Sequence, residues 1–176
     1  NRAGVMFTST DALVREAGKS QTYKARVQSG EINEQYDHLP LGENNRIVDS
    51  YLHHNRVAGA MVGYQKNFVG EGNRLEWNGH EADGGTGYGM TAMAGSYNYG
   101  ITFRNNTTDH NYRKGLDVHD GTGIVIENNV LNGDRLYGIA AYNRQFSMDN
   151  VKIKDNVITQ DPNFRLYMDD DLGRYY

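Results

Sequence analysis

The segment Gly115-Leu116-Asp117-Val118-His119 recurs in altered form along the chain. Three further segments also begin with glycine, and a fifth fits the same frame without one: 59–63, 89–93, 138–142 and 164–168. One apolar position of these segments forms a column with spacings of 30, 26, 23 and 27 residues: Ala60, Met90, Leu116, Ile139 and Leu166. A second column has spacings of 28, 28, 23 and 27 residues: Ile47, Leu75, Phe103, Ile126 and Ile153. Two columns with nearly the same irregular spacing indicate one repeated unit, as in a stacked solenoid.

Each unit carries two strand patterns separated by a polar turn. Apolar residues alternate in the first strand, as in Ile124-Val125-Ile126, and the second strand follows a glycine that we expect to permit a sharp bend. The turns align as Asp49-Ser50, Trp77-Asn78, Asn105-Asn106, Asn128-Asn129 and Asp155-Asn156. Asparagine tolerates left-handed backbone and can bond to the asparagine of the next coil. The position before the turn alternates in charge and predicts ion pairs between coils: Glu76, Arg104, Glu127 and Lys154.

These patterns predict an all-β fold, a right-handed single-stranded parallel β-helix of about five to six coils over residues 45–176. The lack of helical periodicity between residues 45 and 170 excludes a doubly wound α/β fold. Residues 1–44 fit the repeat less well and form a separate N-terminal segment. In it we expect a strand of an earlier coil at 4–7, a short capped helix at 10–18, a second strand at 23–27 and a polar loop at 28–44.

Composition limits the classes of function. The net charge of −4 and the pI near 5.8 give no basic surface for nucleic acid, and no apolar run is long enough for membrane insertion. Without cysteine there is no disulfide framework and no thiolate metal site. The chain reads as a processed form or a piece of a longer protein, because it lacks an initiator Met and a signal peptide.

Strand alternation predicts which side chains point outward and face solvent. In the second strand two outward columns bring chemically active groups together on the third coil and those after it. We predict four catalytic residues, which are Asp117, His119, Tyr142 and Asp169. Five further residues border this patch as candidates for substrate binding: His110, Arg113, Lys114, Arg144 and Tyr167. Such a set suits binding and acid–base chemistry on a polar polymer, although Asp117 and His119 could also be an ordinary polar pair on a solvated strand.

Two reaction classes fit this patch. In a lyase or epimerase, an arginine or lysine neutralises a uronate carboxylate and His119 or Tyr142 removes the C5 proton, while Asp117 orients the imidazole. In a hydrolase, Asp117 and Asp169 are the two carboxylates. No cofactor is required. The acidic run 169–171 could bind Ca²⁺, but an exposed acidic turn is the commoner role of such a run.

The stretch 99–158, about a third of the chain, resembles the repeats of carbohydrate-active parallel β-helices of the pectate-lyase-like superfamily. Within it, Lys114-Gly115-Leu116-Asp117-Val118-His119-Asp120 is similar to the Tyr-Gly-hydrophobic-Asp-Pro-His-acidic segment of mannuronan C5-epimerases. The resemblance implies that Asp117 and His119 lie in a catalytic groove. Lys114 stands where that family has its proton-transferring Tyr, Val118 where it has Pro, and Tyr142 where it has Asp on the following coil.

The repeat architecture also resembles the shafts of bacteriophage tailspikes, which are homotrimers that bind and often cleave surface glycans. This resemblance implies an alternative function, a non-catalytic receptor-binding or structural module that forms a homotrimer. Both interpretations make a polysaccharide the partner. Both place the protein outside the cell, at the cell surface or in the periplasm, or on a virion.

Overall fold

The computed structural model describes residues 2–8, 41–80, 86–93, 96–144, 147–164, 168–169 and 174–175. The strands of its first coils are β1 (Ala3–Phe7), β2 (Gly42–Glu43), β3 (Arg46–Val48), β4 (Tyr51–His53), β5 (Ala58–Val62), β6 (Gln65–Glu71), β7 (Arg74–Glu76), β8 (Tyr88–Ala92) and β9 (Tyr99–Arg104). The later strands are β10 (Thr107–Asp109), β11 (Lys114–His119), β12 (Gly121–Glu127), β13 (Val130–Asn132), β14 (Tyr137–Tyr142), β15 (Met148–Lys154), β16 (Val157–Thr159), β17 (Met168–Asp169) and β18 (Arg174–Tyr175). None of the described residues forms a helix with the length and hydropathy of a membrane span.

Three parallel sheets wrap around one core, so that a coil has three strands rather than the two that the sequence predicts. Sheet A has the order β1-β5-β8-β11-β14, sheet B the order β2-β6-β9-β12-β15 with β3 also pairing with β6, and sheet C the order β4-β7-β10-β13-β16. The third strand was not predicted because its members are only three residues long. Each sheet therefore contributes one strand to each of five stacked levels in the described part of the chain.

The predicted register of sheet A is confirmed for four levels. Ala60, Met90, Leu116 and Ile139 pair in sequence, and their side chains point into the core. The predicted fifth level is not a strand of sheet A in the described part of the chain, and its Leu166 lies outside the described residues. Val5 of β1 pairs with Ala60 at the other end of the sheet, as expected for a strand of an earlier coil. Residues 168–169 instead form an antiparallel pair with 174–175.

The second column contains one wrong member. Gly70, and not Leu75, pairs with Ile47 on one side and with Phe103 on the other. A Cβ on Gly70 would lie 2.6 Å from the sulfur of Met90, so the glycine makes room for that side chain. Leu75 belongs to sheet C, where it is fully buried in the same core.

The turn between sheets B and C carries a ladder of asparagines. The residue before each of them has a positive φ, as at Gly72 and Asn105, and this left-handed conformation favours glycine, asparagine and aspartate. The N–H and the side-chain amide of one asparagine both donate to the side-chain oxygen of the next, in the order Asn73, Asn106, Asn129 and Asn156. The predicted ladder is thus confirmed, but its second turn is Gly72-Asn73 and not Trp77-Asn78.

A second ladder lies at the corner between sheets C and A. It runs through Asn55, Asn78, Asn111 and Asp134, with the same pair of hydrogen bonds at each step. Asn78 therefore belongs to this corner. Because the two turns of one coil are alike and only five residues apart, the sequence did not distinguish them.

The outward charge ladder begins at Glu71 instead of Glu76. Glu71, Arg104, Glu127 and Lys154 are adjacent in sheet B. The Arg104 guanidinium lies 3.0 Å from the Glu71 carboxylate, and the Lys154 ammonium lies 3.3 Å from Glu127. Glu76 instead accepts a hydrogen bond from the Tyr51 hydroxyl at 2.8 Å and contacts Arg74.

The glycines of sheet A form a column for a reason other than a bend. Backbone atoms of neighbouring coils approach closely here, because a Cβ on Gly59 or Gly89 would lie 2.6 Å from the carbonyl oxygen of the glycine in the next coil. Their φ angles are not among the positive ones.

The N-terminal segment is described only in part. Its predicted strand at 4–7 is β1, and β2 forms part of sheet B within the stretch expected to be a loop. The predicted helix at 10–18 and the strand at 23–27 lie outside the described residues.

Candidate active site

The centre of the candidate site is the carboxylate of Asp117 on β11. Its neighbours Leu116 and Val118 point into the core, so Asp117 points to the outer face of sheet A, as alternation predicts. It does not face solvent, however, because its exposed fraction is 0%. The expectation of a solvated Asp117 and His119 is therefore wrong, since both residues are buried beneath neighbouring groups.

Three polar groups surround this carboxylate. The ammonium of Lys114 donates to Asp117 Oδ1 at 2.7 Å, and the hydroxyl of Thr91 in the preceding coil donates to Oδ2 at 2.9 Å. Nε2 of His119 lies 2.8 Å from Oδ2, but neither ring nitrogen of His119 has a well-directed hydrogen bond within the part of the chain described. A buried carboxylate needs such partners, because an isolated charge in the interior is very unfavourable.

The charges of Asp117 and Lys114 stabilise each other. Burial alone would raise the pKa of Asp117, but the contacts with His119 and Lys114 outweigh it and hold that pKa below its usual value. Burial likewise favours a lower pKa for Lys114, while Asp117 and the Tyr142 hydroxyl act in the opposite direction and leave it raised. At neutral pH the pair is an ion pair.

Tyr142 connects this buried pair to the surface. The Lys114 ammonium donates to the Tyr142 hydroxyl oxygen at 3.0 Å, and Tyr142 is 39% exposed. His119 pairs with Tyr142 in the sheet register, and their ring centroids are 4.6 Å apart. Tyr142 is therefore the member of the cluster that a ligand on the outer face would touch.

Tyr88 is part of the cluster and was not predicted. It pairs with Lys114 in sheet A, and the ammonium lies 5.6 Å from the centre of its ring. Burial, and then the negative charge of Asp117, raises the pKa of Tyr88. The position one residue before each sheet A glycine, shared by Tyr88 and Lys114, was the sequence signal for this contact.

The cations predicted to bind substrate are placed differently. Arg144 is exposed two residues after Tyr142, and its backbone N–H donates to Asp120 Oδ1 at 2.6 Å. Arg113 lies in the turn just before β11. His110 is on the corner between sheets C and A, where its ring stacks on Trp77 with a centroid distance of 4.8 Å.

Two further predicted residues are also not brought to this cluster by the described structure. Asp169 lies on β17, which pairs with β18 and not with β14, so it does not continue the column of His119 and Tyr142. Tyr167 lies outside the described residues. Of the acidic run 169–171, the structure describes the backbone of Asp169 alone. The described residues include no cluster of three or more side chains suited to hold a metal ion.

Comparison with known families agrees with this architecture. Residues 27–170 match the family described as the right handed beta helix region. The chain belongs to the right-handed β-helix family. Searches among curated proteins and among solved structures found no match. The coils of this β-helix protein are thus right-handed, and its function has to be argued from its own residues.

Proposed function

We propose that this β-helix protein binds an acidic polysaccharide on the outer face of sheet A and modifies it by proton transfer at C5 of a uronate unit. The observation that carries the proposal is the contact between the partly exposed Tyr142 and the buried Lys114, whose ammonium donates a hydrogen bond to the Tyr142 hydroxyl oxygen. The similarity of the 114–120 segment to mannuronan C5-epimerases supports the same substrate class.

The roles of the cluster follow from its burial. Asp117 fixes Lys114, and Lys114 in turn places a positive charge beside the phenol oxygen of Tyr142. To accept a proton in this scheme Tyr142 must act in its deprotonated form, and the ammonium is the group that faces its oxygen. Asp117 and His119 are positioning residues in this scheme, because they are almost completely buried. Arg144, exposed two residues after Tyr142, is the residue that we assign to pair with the carboxylate of the sugar.

In a β-elimination the Tyr142 phenolate takes the proton from C5. The electrons of the C5–H bond form the C4–C5 double bond, and the bond from C4 to the glycosidic oxygen breaks. The same proton then passes from Tyr142 to the leaving oxygen, which restores the phenolate. In an epimerisation the bond from C4 to the glycosidic oxygen stays intact, a water on the opposite face of the ring gives a proton to C5, and Tyr142 releases its proton to solvent.

Elimination fits the cluster better than hydrolysis. A glycoside hydrolase typically needs two carboxyl groups that flank the glycosidic bond and reach it. Both oxygens of Asp117 have close polar partners, and the side chain is fully buried. Asp169, its predicted partner, is not on sheet A.

The test is a turnover assay on a panel of acidic polysaccharides, with ultraviolet detection of the new double bond. Tyr142→Phe keeps the ring but loses the hydroxyl, so we expect the rate to fall by at least about 100-fold while glycan binding persists. Tyr51→Phe, on sheet C and 52% exposed, is the matched control and should keep full activity. Unchanged turnover by Tyr142→Phe would remove the basis of the proposal.

A second candidate function is a non-catalytic glycan-binding module of a trimeric spike. It is favoured by the burial of Lys114, Asp117 and His119, which would then only stabilise the fold. Exposed Val130 and Val157 are neighbours in sheet C, and association of three chains could bury them. Glycan binding without turnover, together with a trimer in sedimentation, would favour this function. Either function would place the protein outside a cell or on a virion.

A further inference from the structure

A groove with a volume of about 340 Å³ lies at the corner between sheets C and A. Trp77 and Tyr112 give it aromatic walls, and His54, Arg56 and His80 line the remainder together with backbone and ladder atoms. Its volume is near the lower end of the roughly 300–1,000 Å³ found for small-ligand sites. The groove is therefore large enough for one or two rings of a larger ligand.

Trp77 presents a flat apolar surface to this groove. His110 of the following coil stacks on one face of the indole, with an angle of 10° between the rings. His54 and Arg56 of the preceding coil line the groove with Trp77, whereas His110 does not. The groove therefore borders a part of the indole that His110 does not cover, and the residue is 36% exposed.

The backbone at this corner holds bulky rings in an unfavourable conformation. His54, Trp77 and His110 have φ angles of 52°, 50° and 47°. At the opposite corner the same position is taken mainly by Asp, Asn and Gly, which adopt positive φ at lower cost. Aromatic residues at such positions are uncommon, and strained residues often mark functional sites.

The polar lining of the groove favours an anion. Arg56 is exposed, and His54 and His80 add imidazole groups, while no carboxylate is found among those lining residues that the structure describes. This local character contrasts with the net charge of −4 for the whole chain. An aromatic face beside a guanidinium fits a ring with one apolar side and a carboxylate.

We infer that the Trp77 groove is a subsite for a uronate unit of an acidic polysaccharide, whose ring stacks on the indole and whose carboxylate pairs with Arg56. The inference rests on the proposed function for its substrate class. Tyr112 of the groove and Lys114 of the candidate active site are two residues apart, which corresponds to about 7 Å of extended chain. One glycan could therefore occupy both places.

Trp77 is the one tryptophan among the 176 residues, so its fluorescence reports on the groove directly. We expect oligomers of mannuronate, guluronate, galacturonate or glucuronate to change the emission in a saturable way and to protect it from iodide quenching. Neutral oligomers of glucose should have little effect. No response to any of these acidic oligomers, or an equal response to the neutral ones, would overturn the inference.

Charge-neutral variants test the role of Arg56 without disturbing the aromatic packing. Arg56→Gln should weaken the fluorescence-detected affinity by about tenfold. Arg46→Gln, which removes an exposed arginine paired with Glu71 on sheet B, is the matched control and should bind as the wild type does. Equal affinities for the two variants would contradict the pairing of Arg56 with the ligand.

Tyr142→Phe separates this inference from the proposed function. If the inference holds, this variant keeps the fluorescence response, because Tyr142 does not line the groove. If turnover depends on Tyr142 but acidic oligomers do not change the Trp77 fluorescence, the subsite is refuted and the proposed function is not. A saturable Trp77 response without turnover would refute the reaction and support the subsite.

Discussion

Asp134 ends the second side-chain ladder, where its Oδ1 accepts hydrogen bonds from the N–H and the side-chain amide of Asn111 at 3.1 and 2.8 Å. The three preceding members of this ladder are asparagines. Burial raises the pKa of the Asp134 carboxyl to about 7, although hydrogen bonds from Thr108 and Asn111 act against it. The ladder thus ends in a group whose charged form is unfavourable in the folded state.

We predict that Asp134→Asn stabilises the protein at neutral and alkaline pH. A raised carboxyl pKa destabilises the fold as pH rises from about 4 to about 7, because the unfolded chain loses the proton first. A difference of about three pKa units corresponds to about 4 kcal/mol above that window, as an upper figure. Urea unfolding as a function of pH should show a higher free energy of unfolding for Asp134→Asn than for the wild type above pH 7, and little difference near pH 4. Asp134→Ala, which leaves Asn111 without its acceptor, should be less stable at both.

We predict that Lys114→Met strongly destabilises the fold. The substitution leaves Asp117 buried without its cation, which typically costs about 3–5 kcal/mol in the free energy of unfolding. Chemical denaturation should show this loss, and Lys114→Met combined with Asp117→Asn should recover most of it. Arg46→Gln breaks an exposed ion pair and should shift the midpoint far less. Similar shifts for the two single variants would mean that the buried pair is not what stabilises this region.

Asp117 also predicts a loss of stability in acid. Its pKa is lowered, so its contribution is present above the ordinary range of an aspartate and disappears as pH falls through the lowered value. In Asp117→Asn the free energy of unfolding should therefore fall less steeply as the pH is lowered through the acid range. If the free energy of unfolding of the variant falls as steeply in acid as that of the wild type, carboxylates other than Asp117 cause the loss of stability.

Asn106 is predicted to be among the most sensitive positions of the first ladder. Its side-chain oxygen accepts from both nitrogens of Asn73, each at 3.0 Å, and its amide donates to the Gly70 carbonyl at 3.0 Å. Asn106→Ala leaves these buried groups unpaired, at about 1–3 kcal/mol each. Asn156→Ala, at the half-buried end of the same ladder, should cost less, because water can replace the lost bonds. Thermal unfolding compares the two variants, and equal losses would argue against burial as the reason.

Trp77 emission should report the protonation of His110. Burial lowers the pKa of His110, but hydrogen bonds with Asp109 and Asp161 outweigh it and leave the pKa above the ordinary 6.5. A protonated imidazole stacked on indole quenches its fluorescence, so we expect emission to rise with a midpoint above 6.5. Asp161→Asn should lower that midpoint, and His110→Gln should abolish the transition. A wild-type transition at or below 6.5 would contradict the role of the two carboxylates.

The sequence predicted sheet A well because its pattern has few alternatives. A glycine followed by apolar residues at alternate positions fixes both the register and the inward face, as for Leu116 and Val118. Sheet B was predicted less well, because Leu75 and Gly70 both precede an asparagine turn at nearly the same offset. Only the pairing of strands shows that Gly70 lies beside Phe103 and leaves space for Met90.

Strand alternation predicted where the candidate site lies, but it did not predict the surroundings of the site. Period-two alternation gives the face on which Asp117 lies and says nothing about what covers that face. Lys114 was expected to bind substrate at the border, whereas its ammonium is turned to Asp117 and Tyr142. The aromatic corner around Trp77 escaped prediction because its members come from turns of different coils, which become neighbours only after stacking.

The glycine column of sheet A has a consequence for how this protein can change in length. Gly59, Gly89 and Gly115 each admit the carbonyl of the next coil, and the two asparagine ladders repeat at the other corners, so these coils meet their neighbours through nearly the same contacts. Insertion or deletion of one or two residues in a strand would misalign the glycine column and both asparagine ladders at once. Removal of residues 114–136, one complete coil, would instead bring Gly89 against Gly138 and Asn106 against Asn156. The coil is therefore the unit in which this chain can be lengthened or shortened.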